Sequence, residues 1–262
     1  MLANQVMKFI TLMKLNSEKM KKMIIGCICL LVVGISVNAA TFEKDTIKTS
    51  DGDLVITFIG HGTLMMEFNE KVIHIDPVGM FADYSALPKA DMILVTHSHG
   101  DHLDVNVIKL LKKEATFVVM TESCKEAYPD GLVLKNGDSV NYFDIDVDAV
   151  PAYNIKHERS EGNPFHPKGE GNGYVLHFGD TNVYVAGDTE NIPEMADLKN
   201  IDVAFLPMNL PYTMTPDMAA DAARMFMPKI LYPYHFGETD TGELVELLKT
   251  EKEIEVRIRE LK

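Results

Sequence analysis

Thr96-His97-Ser98-His99-Gly100-Asp101-His102 follows directly on the apolar run Met92-Ile93-Leu94-Val95. Three imidazoles and a carboxylate crowded at the end of a buried strand set borderline nitrogen donors and a hard oxygen where a rigid edge can aim them together. His97 and His99 alternate as an extended chain presents them, whereas Asp101 and His102 fall at the turn into a helix and can face a second centre. The spacing therefore favours two neighbouring metal ions over one. Asp104 then stands as the N-cap of a helix built on Val105, Ile108 and Leu111, so the stretch is a strand, a histidine-rich loop and a helix.

Upstream, residues 54–58, 64–68 and 72–75 are short runs rich in Val, Ile and Phe, broken by turn residues, and read as sequential antiparallel strands. Downstream, strands are expected at 117–120 and around 147–151. A hairpin is expected from 174–178 and 183–186, ending at Asp188 much as the first half ends at Asp76. A buried strand at 203–206, a helix opening at Thr215-Pro216 and running to about Met227, a strand at 230–233 that delivers His235, a helix near 243–249 and the alternating Ile254-x-Val256-x-Ile258 complete the pattern. The final strand is charged enough to discourage edge pairing. Residues 154–173 carry no periodicity, and a loop of that length inside a compact domain is functional or disordered. No linker divides the chain, so residues 41–262 read as one domain of mixed strands and helices.

With 46% hydrophobic residues the chain is not disordered, and with three cysteines it has no disulfide framework. Lys8, Lys14, Lys19, Lys21 and Lys22 lie in the first 40 residues beside a single acid, Glu18, which leaves the remainder a formal charge of −18. No stripe of lysine or arginine is dense enough to neutralise a phosphate backbone, so nucleic acid is excluded as a partner and a small-molecule substrate is expected.

Lys21 and Lys22 precede an uncharged stretch, residues 23–37, followed by Val37-Asn38-Ala39-Ala40. A basic start, a short apolar core and small residues before a cut after Ala39 or Ala40 read as a signal peptide over residues 1–40, with translation starting at Met1 or at Met20. The mature protein is then periplasmic or secreted, with no stable membrane association. The alternative is an uncleaved anchor over residues 23–42. Cleavage removes Cys27 and Cys29 and leaves Cys124, which reads as a packed small residue.

His97-x-His99-x-Asp101-His102 resembles the signature of the metallo-β-lactamase superfamily. Gly60-His61-Gly62-Thr63, Ile75-Asp76-Pro77, Ala186-Gly187-Asp188-Thr189 and Pro233-Tyr234-His235 follow the family's order and spacing over residues 54–240. The Gly-His-x-Thr and Ile-Asp-Pro features are similar to the branch of L-ascorbate-6-phosphate lactonase and N-acylphosphatidylethanolamine phospholipase D. The resemblance implies an α+β fold, a four-layer αββα sandwich, with two divalent metal ions per chain at one edge. Zinc leads as the metal, with manganese or iron possible on the same ligands. The resemblance also implies one ion held by His97, His99 and a third histidine, a second held by Asp101, His102 and His235, and Asp188 as the bridge. The implied chemistry is hydrolysis of a lactone, ester or amide by a water acidified between the two ions. A small phosphodiester is the alternative substrate, and a non-catalytic exported metal-binding protein the alternative function.

One ligand departs from the pattern. Where relatives carry the third histidine this chain reads Pro151-Ala152-Tyr153-Asn154, and asparagine is a poor zinc ligand. Either the site is weakened or the following loop supplies the donor, from His166 in preference to His157. His61 has a role in orienting substrate or protonating a leaving group, or a structural one. Asp76 is expected to fix the tautomer of a ligand imidazole. His74 and His177 are expected on solvated strand faces. Specificity is assigned to the loops at 78–90, 154–173 and 207–216, while substrate identity and oligomeric state stay open.

Overall fold

The computed structural model describes residues 42–261, and the expected leader and its cleavage site lie outside the described residues. Seven strands, β1 (Lys44–Thr49), β2 (Gly52–Gly60), β3 (Thr63–Phe68), β4 (Lys71–Ile75), β5 (Met92–Leu94), β6 (Phe117–Met120) and β7 (Leu132–Val133), form one sheet in chain order. β1 to β4 are antiparallel and β4 to β7 parallel. The chain continues through β8 (Ser139–Tyr142) and β9 (Ile145–Ala152) to a separate hairpin of β10 (Glu158–Ser160) and β11 (Asn163–Pro164). Then come β12 (Gly171–Phe178), β13 (Thr181–Val185), β14 (Val203–Pro207), β15 (Ile230–Tyr234) and β16 (Glu255–Val256). Without the hairpin these make a second sheet in the order β8-β9-β12-β13-β14-β15-β16, antiparallel up to β13 and parallel beyond it. The halves thus share one plan.

The layering follows from which faces are apolar. Along β5 and the residue after it, Met92 and Leu94 enter the core between the sheets while Ile93 and Val95 face outward, where Val107, Ile108 and Leu111 of the helix Val105–Leu111 cover them. A strand buried on both faces has no polar side, which is why it reads as an unbroken hydrophobic run. Asp104 caps that helix, accepting from the backbone N–H groups of Asn106 and Val107. Between the sheets Phe58, Phe205 and Tyr232 form an aromatic cluster, with Phe205 stacked on Tyr232 at 5.0 Å. On the far side the helix Pro216–Phe226 covers the second sheet, Phe226 meeting Tyr184 edge-on, and the helix Thr241–Leu248 packs beside it. The result is helix, sheet, sheet, helix, an α+β sandwich of the αββα kind. One edge is tied by Asp45 on β1, which accepts hydrogen bonds from Arg259 and from the Tyr232 hydroxyl of the opposite sheet.

Three expectations need correction. Residues 154–173 are not structureless: they contain the β10–β11 hairpin, and β12 already begins at Gly171. His74 is not on a solvated face but fully buried, donating from Nε2 to the Pro88 carbonyl at 3.0 Å under Tyr84. Alternation marks the two faces of a strand, not which of them meets water, and here the helical layer covers the outer face. The C-terminal strand is only the two residues of β16, and its flanking Arg257 and Arg259 turn their charge to Asp45. His177 is half-buried between Asp148 and Asn182.

Candidate metal centre

His61 follows β2, Asp76 β4, the His97 cluster β5, Asn154 β9, Asp188 β13 and His235 β15, so side chains far apart in sequence meet at one edge of the sandwich. Several turns there are tight. His61, Asp76 and His235 have φ of 55, 45 and 45°, left-handed values that a non-glycine residue holds only when its surroundings compel it. Gly62 has no room for a side chain, since a Cβ would stand 2.9 Å from the His102 ring and 3.3 Å from that of His235. That contact explains the glycine at position 62.

Three groups of donors have their atoms within 4.8 Å of one another: His97, His99 and His166; His61, Asp101 and His235; and His97, His102 and Asp188. Asp188 links them. Its Oδ2 lies 3.2 Å from His166 Nε2 and 4.0 Å from His97 Nε2, while its Oδ1 lies 3.4 Å from His102 Nε2 and 3.5 Å from His235 Nε2. Oδ1 is buried and accepts no hydrogen bond. Ring nitrogens also face each other directly, His97 Nε2 and His99 Nδ1 at 3.0 Å and His235 Nε2 and His102 Nε2 at 3.0 Å. Lone pairs converging on shared points around an orphaned carboxylate oxygen fit divalent cations, and imidazole with carboxylate is the donor set such ions take.

Asp76 prepares this arrangement. Its Oδ2 accepts from His102 Nδ1 at 2.8 Å and from the Thr96 hydroxyl at 2.7 Å, and its Oδ1 from the Thr96 N–H at 2.8 Å. The Thr96 oxygen, 3.0 Å from His97 Nδ1, is left to accept the proton of that ring. Both imidazoles therefore carry their protons on Nδ1 and present Nε2 lone pairs to the centre, the tautomer role expected of Asp76. Burial opposes charge on His102, but the carboxylates of Asp188, Asp76 and Asp101 outweigh it and raise the ring to about 9, so a cation at Nε2 takes the place of a second proton there. Burial likewise works against the Asp188 carboxylate, yet the imidazoles of His235, His102, His166 and His97 hold it well below the usual range. His97, with burial and the neighbouring His102 both against a charge, is lowered well below its ordinary value.

Asn154 has a place in this network. Its Oδ1 accepts from the backbone N–H of His166 at 2.9 Å and from His166 Nδ1 at 2.6 Å, while its Nδ2 donates to Glu190 Oε1 and to the Tyr212 carbonyl. With its proton directed at Asn154, His166 turns Nε2 toward Asp188. His157 is not in the cluster: its Nδ1 lies 2.8 Å from Glu190 Oε1. Burial would raise Glu190, but N–H groups of His157, Asn154, Ile155 and Lys156 hold it ionised below its ordinary value. Sequence reasoning missed Glu190 and Thr96, both of which look like ordinary turn residues, and placed His61 outside the donor groups, although its Nε2 lies 3.3 Å from Asp101 Oδ2. The cluster opens into a cavity of about 390 Å³, which Arg159, Phe165, Asn209 and Tyr212 also line. Cys124 does not line it and is buried in the outer core, with its thiol pushed up by burial.

Comparison with known proteins agrees with this geometry. The profile of the beta-lactamase superfamily domain matches residues 55–235. A UPF0173 metal-dependent hydrolase of Desulforamulus reducens is 32% identical over 192 residues, covering 70% of this chain and 84% of that protein. A crystal structure from Parabacteroides distasonis, described as a metal-dependent hydrolase, superposes with a TM-score of 0.81 at 51% identity over 85% of this chain and 100% of that one. Igni18, a metallo hydrolase from Ignicoccus hospitalis, shares the fold at 24% identity, with a TM-score of 0.65 over 79% of this chain and 95% of its own. The chain belongs to the metallo-β-lactamase superfamily and is a metal-dependent hydrolase of that family.

Proposed function

We propose that the chain is an exported hydrolase that holds two divalent ions, zinc foremost, and cleaves a small-molecule lactone, ester or amide, with a small phosphodiester as the alternative. The observation that carries this reading is Asp188, whose two oxygens each face a different set of imidazoles. His97, His99 and His166 would hold one ion, Asp101, His102 and His235 the other, and Asp188 would lie between them. Bound there, the ions supply an acidified water as nucleophile and stabilise the negative charge that develops on the substrate.

The remaining work falls to the protein's own side chains. Asp76 and Thr96 keep the Nδ1 protons of His102 and His97 away from the centre. Asn154 does the same for His166. His61 Nε2, at 3.3 Å from Asp101 Oδ2, orients that carboxylate at the cavity wall and is placed to pass a proton to a departing group. A nucleophilic serine or cysteine is not needed, and the buried thiol of Cys124 lies outside the cavity. His166 beside Asp188 supports catalysis over simple metal binding, because the donor missing at Asn154 is restored from the loop.

Elemental analysis of residues 41–262, purified without chelator or His tag, tests the reading against His97→Ala and His166→Ala. About two ions per chain are expected in the unaltered protein, with one or both lost in each variant. Full occupancy in His166→Ala would remove His166 from the ligand set, and one ion or fewer in the unaltered protein would end the dinuclear reading.

A further inference from the structure

The chain contains four arginines, and three of them pair with carboxylates: Arg224 with Asp221 and Glu251, Arg257 with Glu255 and Asp45, and Arg259 with Asp45. Arg159 differs. It is exposed on β10 at the wall of the cavity that holds the histidine cluster, and among the described residues it makes no ion pair with a carboxylate. Its guanidinium covers the Phe165 ring at 5.1 Å, and its Nη2 stands 3.2 Å from His99 Nε2.

His99 thus uses its two nitrogens in opposite directions. Nδ1 faces His97 Nε2 at 3.0 Å inside the donor group, and Nε2 faces Arg159. A neutral imidazole carries one proton. Once Nδ1 gives its lone pair to a cation that proton is on Nε2, and Nε2–H and the Arg159 guanidinium become two donors turned to one point with no acceptor between them. An anionic oxygen is the group that satisfies both, and a guanidinium fork is shaped for carboxylate or phosphate.

We propose that Arg159 and the Nε2–H of His99 form an anion subsite beside the metal centre, and that the substrate is a small molecule bearing a carboxylate or phosphate group that docks there. The proposal rests on the metal reading above, because ligation through His99 Nδ1 places the proton. The subsite is built in advance. Glu190 accepts the backbone N–H groups of Ile155, Lys156 and His157 at 2.9, 2.8 and 2.6 Å and so fixes the segment leading into β10, which β11 then pairs. Little ordering is left for the substrate to bring about. The field of an acidic protein repels anions at range but is screened beyond about 8 Å at physiological salt, so a single arginine at the cavity wall suits one anionic group and not a polyanion.

Titration calorimetry with inorganic phosphate and with acetate, on metal-loaded protein whose ion content is measured in every sample, tests this. Arg159→Ala should weaken binding of at least one probe by about tenfold or more at unchanged metal content, and Arg159→Lys should recover part of it, since lysine restores the charge without the fork. The probe that loses more identifies the group as phosphate or carboxylate. Unchanged affinity in Arg159→Ala at full metal content, or no measurable binding of either probe to the loaded wild type, overturns the subsite alone. A wild type that takes up no metal overturns the metal reading and the subsite with it.

Discussion

Asn154 shows how one residue out of pattern can be part of a site without being a ligand. Its carbonyl oxygen holds both the backbone N–H and the Nδ1 of His166, so a donor twelve positions further on occupies the space beside Asp188. If that is its role, Asn154→Ala should leave the fold intact and weaken metal affinity by roughly 10- to 100-fold, the usual cost of losing a group that orients a ligand. Asn154→Asp, which still accepts the Nδ1 proton but sets a second carboxylate against the buried Glu190, should lose affinity as well. Competition with a chromophoric chelator reads both, and equal affinity in Asn154→Ala and wild type would sink the idea. Gly62 acts by the opposite means, through a missing side chain that lets the His102 and His235 rings approach.

The hairpin of β10 and β11 belongs to the next scale, because its position is set by a carboxylate and not by a core. Glu190 is fully buried and gathers three backbone N–H groups and the Asn154 amide. Removing it leaves those donors without their shared acceptor, at about 1–3 kcal/mol for each that stays dry. Glu190→Ala should therefore speed hydrogen exchange across residues 154–164 by tenfold or more, while β5, β13 and β14 keep wild-type protection. Exchange that rises evenly over both sheets would instead make Glu190 a determinant of global stability. Residues 154–166 carry Asn154, His157, Arg159 and His166, so one latch places His166 and Arg159 together.

Across the whole molecule, the packing of the outer layer makes stability depend on pH through His74. Burial under Tyr84 lowers this imidazole to about 4 despite its bond to the Pro88 carbonyl, and its Nδ1 has no hydrogen-bond partner. The unfolded chain takes up a proton near 6.5 and the folded one resists it, so the neutral ring's contribution is complete above pH 6.5 and is lost as pH falls toward 4. The difference in unfolding free energy between wild type and His74→Gln should shrink over that window by an amount on the order of 3 kcal/mol. Denaturant titrations at several pH values measure it, and a difference that does not vary with pH would mean the ring is accessible to protons. The two sheets, with their shared order of antiparallel and then parallel strands, bring Asp76 and Asp188 to equivalent ends of β4 and β13.

The strands, the helix behind Asp104 and the His97 cluster were legible in the chain because each is local: a run of Met, Ile, Leu and Val, a cap, and donors a few residues apart. Polar strands such as β1 and β8 were not, since a KDTIKT or SVNY segment becomes a strand only when a neighbour offers it backbone partners. The layered α+β sandwich was implied by the family resemblance that the sequence motifs carry, and those motifs also name most of the residues that meet at its edge. It took long-range packing to set His166 beside Asp188 and His157 against Glu190, to bury His74 and to bring Arg159 to the cavity. Each of those depends on where Asn154, Glu190 and the covering helical layer meet, through contacts between residues distant in the chain, which no periodicity records.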